Sequence, residues 1–556
     1  MIRYCIIVCF TLVALLSCKT GNDESDSSIN AKGGMTYGGV FKFSIPNKPL
    51  RLFPYASNSY YEQLLISQLY ETLFVTDSMQ QIIGNLAQKY EVRDKGKTLR
   101  VVLQKGVLFH GGGQLTTRDV LFSIAFACSK SSHNKYAYLL IDKILGGKEF
   151  YDTSSDGQLD LAKFKGAKII NEQVIDVYLV RPYSQFTKLL THPNLVILSF
   201  QDYVTNSTNF FDNAKGTGPF QLESISNEKT ILTRNNSYWK KDSCGNKLPF
   251  LSSIEVYYSV NESALFQEGK LDLIQNVRAD KLNALFGSLQ EAQGGKNLLH
   301  RLFQQQDKKL NFLVYNTKSA VFNTLAKRLA VDQAIDRASL CANILDGDGK
   351  ACLGTFVPIN YYRPIEKLLG DNTTRQGQKQ GKAKRAKGKN AEILNFFINK
   401  NTSEIGRLWA KEVAHQIENA TNYKVTIVSG SDADLEKMWK TGEVHLAKYG
   451  WVADYLDPDA YLGLFYSKSS LARDLEINLP IFDSLYLNTF KKNTFKDHLF
   501  AQYVCDQYLI KQVLVTPVFL QDFIFVLNVN MRGFHINTSG QFNLSTVYFK
   551  PIQKLY

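Results

Sequence analysis

The chain has 556 residues, of which 44% are hydrophobic and 21% are charged. This length exceeds the size of one hydrophobic core, so we expect several domains or one large two-lobed body. The composition excludes collagen, a coiled coil and a wholly disordered chain. A mean hydropathy of -0.19 excludes a polytopic membrane protein, which needs several long apolar segments.

The net charge of +14 is largely a local feature of one segment. Residues 375–389 contain seven lysines and arginines and no acidic residue; without these seven and Arg3, the rest of the chain carries +6. We interpret 370–390 as a basic surface loop, because it has no large apolar residue to bury. Binding of RNA or an envelope polyanion is an alternative role for this loop, but we expect no nucleic-acid partner.

The first residues have the pattern of a bacterial export signal. The apolar run 4–16 is too short to span a bilayer and is typical of a signal peptide, here at 1–17. Leu-Leu-Ser before Cys18 resembles the lipobox of bacterial lipoproteins, and the polar segment 18–36 would then be a tether. The alternative is an ordinary signal peptide that contains a cysteine. We therefore predict a lipidated Cys18 that holds the protein in the cell envelope, facing the periplasm or the cell surface.

Five cysteines remain beyond Cys18, so at least one of them is unpaired. Cys341 and Cys352 are close enough in sequence to form a small disulfide loop, and two free thiols are an equal alternative. No spacing of cysteines and histidines is typical of zinc, and the common catalytic, phosphate-binding and calcium-binding motifs are absent from the sequence. We therefore expect no cofactor, no metal and no enzymatic activity.

Helical and strand patterns are mixed along the whole chain, which indicates an α/β or α+β class. Apolar residues at helical spacing predict helices at 120–128, through 324–340 and at 405–417. Alternating or short apolar runs predict strands at 98–103, 254–258, 424–428 and 513–529. Capping residues precede the first and the last of these helices, at 116–119 and 401–404.

A series of landmarks follows in order along the chain. They are KGVLFH at 105–110 with DVLFS at 119–123, GTGPF at 216–220, NNSYW at 235–239, Asn316-Thr317, Arg328 with AIDR at 334–337, and GEVHLAKYGW at 442–451 with ADY at 453–455 and DP at 457–458. Together they resemble the extracytoplasmic solute-binding proteins of peptide-type ABC importers, the oligopeptide- and dipeptide-binding family 5, over roughly residues 37–556. The turn after Phe109 lacks the acidic residue usual in that family, and the basic insertion is unusual.

The resemblance implies an α/β fold, a two-lobed clamshell of the periplasmic-binding-protein type with an extra inserted domain. The implied divisions are lobe I at 37–58, 175–275 and 515–556, the inserted domain II at 59–174, and lobe III at 276–514. Two crossing strands near 275 and 515 would form the hinge, and closure about it would trap the ligand. The implied function is a monomeric receptor that captures extended peptides and delivers them to the permease subunits of an ABC importer.

The resemblance also implies a ligand site. In peptide-binding relatives an acid at the position of Asp454 pairs with the ligand's ammonium group, and a closed cleft needs such a counter-charge. The alternative role of Asp454 is to cap the turn before Asp457-Pro458.

Main-chain groups are expected to complete the site. Gly450, Trp451 and Val452 would hydrogen-bond to an extended peptide by strand addition, with Tyr455 beside them. Trp451 is equally well interpreted as a core residue. We expect the facing segment of lobe I to contain Asn58, Ser59 and Tyr60.

Two other functions fit parts of the sequence. The same scaffold could bind a nickel chelate, an oligosaccharide or another small solute, and a sugar has no need of the acid at Asp454. A surface lipoprotein could instead bind polyanions through 375–389, in which case binding would depend on salt and on that segment.

Overall fold

The computed structural model describes residues 29–550 apart from 58, 78–80, 156–158, 207–208, 213–214, 276, 278–281, 283–284, 286–299, 346–348, 370–390, 493 and 538–539. The predicted signal peptide, Cys18, Asn58 and the basic segment 375–389 therefore lie outside the described residues. None of the described helices has the length and apolar character needed to cross a membrane.

The strands are numbered in chain order within these residues. They are β1 Ile29–Asn30, β2 Thr36–Tyr37, β3 Val40–Ile45, β4 Phe74–Thr76, β5 Ile82–Gly84, β6 Ala87–Arg93, β7 Thr98–Leu103, β8 Ala167–Ile169, β9 Val174–Tyr178, β10 Phe220–Ile225, β11 Lys229–Arg234, β12 Ser253–Tyr258, β13 Leu273–Gln275, β14 His300–Tyr315, β15 Gly349–Ala351, β16 Glu392–Asn399, β17 Tyr423–Gly430, β18 Leu446–Val452, β19 Val515–Asn528, β20 Met531–Arg532 and β21 Tyr548–Phe549.

The α-helices are numbered in the same way. They are α1 Tyr60–Leu69, α2 Thr117–Ala127, α3 Gly147–Thr153, α4 Phe186–Leu189, α5 Phe200–Thr205, α6 Glu262–Gln267, α7 Leu325–Ala334, α8 Arg337–Ile344, α9 Glu366–Leu369, α10 Glu404–Ala420, α11 Asp432–Lys440, α12 Asp459–Leu462, α13 Ser470–Asp474, α14 Pro480–Thr489 and α15 Phe495–Lys511.

Local sequence patterns predicted most of the elements that they addressed. The four predicted strands are confirmed as β7, β12, β17 and β19, and two of the predicted helices as α2 and α10. Asp119 accepts a hydrogen bond from the backbone N–H of Thr116 at 2.8 Å, which caps the start of α2. The hydroxyl of Ser403 accepts from the N–H of Gly406 at 3.2 Å and caps α10.

The helix predicted through 324–340 is two helices, α7 and α8. Ile335 between them has an extended backbone, and Asp336 caps the second helix by accepting from the N–H of Ser339 at 3.0 Å. An aspartate side chain that satisfies a backbone N–H in this way competes with helix continuation. Periodicity alone did not reveal this break.

Eleven strands of the described chain form one mixed sheet. Its order is β10-β11-β12-β3-β13-β19-β14-β18-β16-β17, with β15 also paired to β19. β3 runs parallel to β12 and β13, and β16 runs parallel to β17 and β18. Parallel strands need covered faces and crossover connections, so each half of the sheet has the character of an α/β layer.

The two halves of the sheet are joined by the long strands β14 and β19. These strands pair over 300–305 with 523–528, and again over 309–314 with 515–521. Asp307 lies in the gap with φ of 55°, and its N–H donates to Asp522 Oδ1 at 2.8 Å. The pairing is therefore interrupted at a defined point between the halves.

The position of this crossing differs from the expectation. We expected crossing strands near 275 and 515, and β19 does begin at Val515. The second crossing strand is β14, whereas β13 at Leu273–Gln275 stays within the first half, where it pairs with both β3 and β19. β13 is three residues long and pairs on both edges within the first half, so it does not extend into the second half of the sheet.

A separate four-stranded sheet, of order β6-β7-β9-β8, occupies the segment expected to be the inserted domain. Arg100 of β7 and Asp176 of β9 form an ion pair across it, with 2.7 Å between Nε and Oδ1. The expected boundary at 174–175 falls at the start of β9, so this strand continues the small sheet beyond the boundary.

The cysteines of the described chain are free thiols. Cys341 and Cys352, for which the sequence left a disulfide open, are both buried and unpaired. Burial raises the pKa of the Cys341 thiol to about 11, so it is protonated at neutral pH.

Candidate functional site

A cavity of about 400 Å³ opens beyond the carboxyl ends of β16 and β18. Ligands of open α/β sheets bind at this edge, because loops and helix N-termini converge there. Six residues predicted to contact ligand line the cavity, namely Ser59, Tyr60, Gly450, Trp451, Val452 and Asp454. Residues far apart in the chain thus meet in one place.

β18 presents an open backbone edge to this cavity. Along one edge, all seven of its residues pair antiparallel with β14, from Leu446 to Val452. On the other edge, β16 pairs only with Leu446 and Ala447. In the described part of the chain, no strand pairs with this edge of residues 448–452, so its peptide groups are available to an added strand.

Because Gly450 has no side chain, the Lys309 side chain has room to lie across this face of β18. A Cβ atom at Gly450 would lie 2.7 Å from Lys309 Cε, closer than two carbon atoms can approach. Lys309 pairs with Val452 on the adjacent strand, so its side chain runs along β18 towards Gly450. Any larger residue at 450 would displace Lys309 from the cavity wall.

Asp454 lies at one end of the cavity, with 9% of its side chain exposed. His192 Nε2 lies 3.3 Å from Asp454 Oδ2, although this contact lacks the geometry of a hydrogen bond. His192 is itself 1% exposed. A buried carboxylate beside an imidazole is suited to a cationic ligand group, since burial is costly for an uncompensated charge.

A hydrogen-bond chain fixes the orientation of His192. The backbone N–H of Asn194 donates to His192 Nδ1 at 3.1 Å, so a neutral ring carries its proton on Nε2, towards Asp454. Gln63 Nε2 donates to Asn194 Oδ1 at 2.9 Å and to the hydroxyl of Tyr136 at 3.2 Å. His192 carried no motif in the sequence, and only the fold places it beside Asp454.

Trp451 and Tyr455 have different surroundings. Trp451 lines the cavity. Its indole N–H also donates to the carbonyl of Ala460 at 2.8 Å, so the side chain stabilises the fold as well. Tyr455, expected beside it, does not line the cavity: it is 2% exposed and donates to Asp459 Oδ2 at 2.7 Å. The strand ends at Val452, and the chain then turns the Tyr455 side chain into the core.

The opposite wall begins at the N-terminus of α1. Ser59 precedes the helix and Tyr60 is its first residue. Tyr60 donates its hydroxyl to the carbonyl of Gly540 at 2.5 Å and packs 5.2 Å from the ring of Phe523 on β19. Ser59 and Tyr60 therefore line the cavity, in the segment that was expected to face the ligand. Asn58 lies outside the described residues.

Two lysines that sequence reasoning did not single out also line the cavity, Lys309 and Lys448. Neither has a carboxylate within ion-pair distance in the part of the chain that the structure describes. Burial lowers the pKa of Lys309, and burial together with the nearby Lys309 lowers the pKa of Lys448 to about 7. Lys448 belongs to the GEVHLAKYGW motif. On a strand it shares a face with Gly450 and Val452, and this spacing was the sequence signal that could have placed it at the site.

Lys448 lies close to the N-terminus of α10. Its Nζ is 3.2 Å from the point that a Cβ at Gly406 would occupy, and it lies 4.9 Å from the ring centre of Trp409. The N–H groups and dipole of a helix start favour negative charge. This end of the cavity is therefore electropositive, opposite in sign to the end at Asp454.

A second cavity of about 240 Å³ adjoins the first, and Val452 and Ala453 line both. Its buried acid, Asp457, already accepts a hydrogen bond from Gln502 Nε2 at 2.6 Å. The larger cavity contains the predicted residues and the free strand edge, so we take it as the candidate site. The described residues contain no cluster of three or more side chains suited to a metal ion.

Contacts near the cavity join the segment 59–174 to the segment 276–514. Asp142 accepts from the hydroxyl of Tyr466 at 2.6 Å and from Lys468 Nζ at 2.9 Å. The next residue, Lys143, lies 3.8 Å from Asp459 Oδ2, and both side chains are almost wholly buried. The two segments are therefore held together by buried and half-buried polar contacts.

Comparison with known proteins identifies the fold. The chain is 22% identical to the oligopeptide-binding protein OppA of Bacillus subtilis strain 168 over 98% of each chain. The solved structure of a periplasmic oligopeptide-binding protein/oligopeptide ABC transporter (OppAIV) from Borrelia burgdorferi superposes with a TM-score of 0.75 at 19% identity, covering 92% of this chain and 99% of that one. Haemophilus influenzae OppA in complex with RPPGFSPFR gives a TM-score of 0.74 at 18% identity, over 93% and 100%.

These likenesses show that the predicted fold class is correct: the chain is a two-lobed, mixed α/β binding-protein fold of the periplasmic type. The model of the bacterial extracellular solute-binding proteins, family 5 middle, matches residues 81–472, which is well over half of the chain. The chain therefore belongs to family 5 of the bacterial extracellular solute-binding proteins.

Proposed function

We propose that the protein is an extracytoplasmic receptor that binds short peptides between its lobes and delivers them to an ABC importer. The observation that carries this proposal is the open edge of β18 at residues 448–452, which faces the cavity. A peptide added as a strand there would be held by main-chain hydrogen bonds that do not depend on its side chains.

The charges of the cavity match the two ends of a peptide. Asp454 would pair with the amino end, and Lys448 beside the start of α10 would pair with the carboxyl end. Six residues of extended chain span at most roughly 20 Å. The separation of Lys448 and Asp454 therefore suits a peptide of a few residues.

The relatives support the ligand class and the partner. The Bacillus subtilis relative is named an oligopeptide-binding protein, and the Haemophilus influenzae relative was solved with a peptide bound. The Borrelia burgdorferi relative is described as part of an oligopeptide ABC transporter. We extend the same ligand class and the same kind of partner to this chain, as a binding protein and not as an enzyme.

Capture would involve movement about the interruption in β14 and β19. Asp307 and Asp522 lie where the two paired stretches separate, so rotation there would disturb few ladder hydrogen bonds. On this proposal the division into lobes falls at 306–308 and 522.

Tethering by a lipidated Cys18 completes the proposal. The lipobox-like sequence and the polar residues after it support an anchor in the cell envelope. A receptor held at the membrane stays close to its importer, which raises the effective concentration of the two partners.

The decisive experiment is a double-mutant cycle at the amino end of the ligand. Wild type and Asp454→Ala would each be titrated by calorimetry with a free and an N-acetylated form of the same short peptide. Truncating one side of a buried charge pair costs on the order of 2–5 kcal/mol, so Asp454→Ala should weaken binding of the free peptide roughly 30-fold or more. The acetylated peptide should bind wild type poorly and lose little more in the variant. Additive losses would show that Asp454 and the amine do not meet, and a non-peptide solute would then be favoured.

A further inference from the structure

The cavity contains more cationic side chains than the carboxyl end of a peptide with uncharged side chains can pair with. Asp454 is matched by one amino group, but Lys309 and Lys448 together present two ammonium groups near the other end. A peptide with uncharged side chains brings a single carboxylate to that end. One of these two half-buried lysines would have no counter-ion, so its ammonium form would be disfavoured.

The other charged residue in the described lining does not remove this excess. Asp432 is exposed, accepts from Asn399 Nδ2 at 2.7 Å and is the first residue of α11, where the helix dipole stabilises a carboxylate. The electrostatic influences on Lys448 are burial and Lys309, both of which lower its pKa. Asp432 therefore does not neutralise that ammonium group.

The two lysines converge on the strand beside Gly450. Lys309 Nζ lies 3.6 Å from the point that a Cβ at Gly450 would occupy. Asn311, across the ladder from Gly450, has Oδ1 3.5 Å from the same point. Asn311 is 2% exposed, and its Nδ2 finds no hydrogen-bond partner among the described residues. A buried donor without an acceptor calls for a partner, and an oxygen atom bound beside Lys309 above Gly450 would supply one.

On the basis of the proposed function, we propose that the preferred ligands are short peptides whose carboxyl-terminal residue is acidic. The α-carboxylate would pair with Lys448 and the side-chain carboxylate with Lys309 and Asn311. Residues two apart on a strand are separated by roughly 7 Å. The ammonium group of Lys309 lies beside Gly450, two residues along β18 from Lys448. This spacing is comparable with the distance between the α-carboxylate and the side-chain carboxylate of a C-terminal acidic residue. Charge-assisted hydrogen bonds to both would neutralise the cavity.

The test uses pairs of free-amino peptides, three to five residues long, that are identical except for a final glutamate or glutamine. Calorimetry on wild type should give at least tenfold tighter binding of the glutamate member at the length that fits. Lys309→Met and Lys309→Gln should remove most of this preference while retaining binding of the glutamine member. Lys318→Met is the matched control, because Lys318 is exposed and pairs with Glu476 at 2.7 Å; it should keep the preference.

The outcomes separate this inference from the proposed function. Equal affinity for the two members at every length, or a preference that survives both substitutions of Lys309, overturns the inference and leaves peptide binding intact. Failure of every peptide to bind wild type overturns the proposed function and the inference with it. Thermal unfolding of each variant checks its folding, and removal of the half-buried Lys309 ammonium group, which has no ion-pair partner among the described residues, should not lower the melting temperature.

Discussion

The imidazole of His192 lies beside the carboxylate of Asp454, with 3.3 Å between Nε2 and Oδ2. The two residues come from segments about 260 positions apart in the chain. Because Asn194 donates to Nδ1, a neutral ring carries its proton on Nε2, the nitrogen beside Asp454. His192 therefore positions the residue that we propose to receive the peptide's amino group.

Replacement of His192 should selectively weaken binding of the free amine. In His192→Phe the ring volume is largely kept, but the polar nitrogen beside Asp454 is lost, so the carboxylate no longer has this polar neighbour. We expect roughly tenfold weaker binding of a free peptide, because Asp454 loses the imidazole that packs beside it. The N-acetylated form should bind almost unchanged. His415→Ala, on the exposed face of α10, is the control, and equal loss for both ligands would assign His192 a purely structural role.

The buried pair of Lys143 and Asp459 should respond asymmetrically to substitution. Asp459 also accepts from the hydroxyls of Tyr455 and Tyr486, so Lys143→Met leaves its carboxylate hydrogen-bonded. Asp459→Asn leaves the buried Lys143 ammonium short of counter-charge, a loss on the order of 3 kcal/mol in the free energy of unfolding. We expect Lys143→Met to cost less than half as much in chemical denaturation. Lys148→Met, in an exposed ion pair, should change stability by less than about 0.5 kcal/mol, and equal costs at 143 and 459 would contradict the argument.

Binding of a peptide with a free carboxyl end should weaken as the pH rises through about 7. The pKa of Lys448 is lowered to about 7, so the ligand-free protein loses this positive charge above that pH. A carboxylate favours the protonated form, so binding is accompanied by proton uptake, and affinity should fall by up to about tenfold per pH unit.

The same titration on Lys448→Met isolates this effect. The peptide's own amino group titrates near pH 8 and weakens binding in both proteins, so the difference between the two profiles is the measured quantity. A difference that is constant from pH 6 to 9 would show that Lys448 does not titrate in this range.

The proposed anchor predicts where the protein is found after cell fractionation. Cys18→Ser removes the sulfur atom to which the lipid would be attached, so the variant should move from the membrane fraction to the soluble fraction. Ser17→Ala, which keeps a small residue before the cysteine, is the control and should remain in the membrane fraction. A Cys18→Ser protein that partitions like wild type would contradict lipidation.

Elements with strong local signals were predictable from the sequence. The strand at 98–103 and the helix after Ser403 follow from periodicity and capping, which depend on neighbouring residues only. The order of the motifs along the chain was enough to indicate the family and its fold. Asp454 and residues 450–452 were proposed as ligand residues in the same way, because the motif that contains them is contiguous.

Relationships between distant segments were decided by tertiary structure alone. The sequence does not show that β16 ends early and leaves residues 448–452 with an open edge, because pairing depends on where two separate strands stop. It could not place His192 beside Asp454, or bring Lys309 and Lys448 into one cavity, since these contacts depend on how distant segments pack. The crossing near Asp307 was misplaced for the same reason: strand pairing across the whole chain, and not local pattern, determines which segment passes between the lobes.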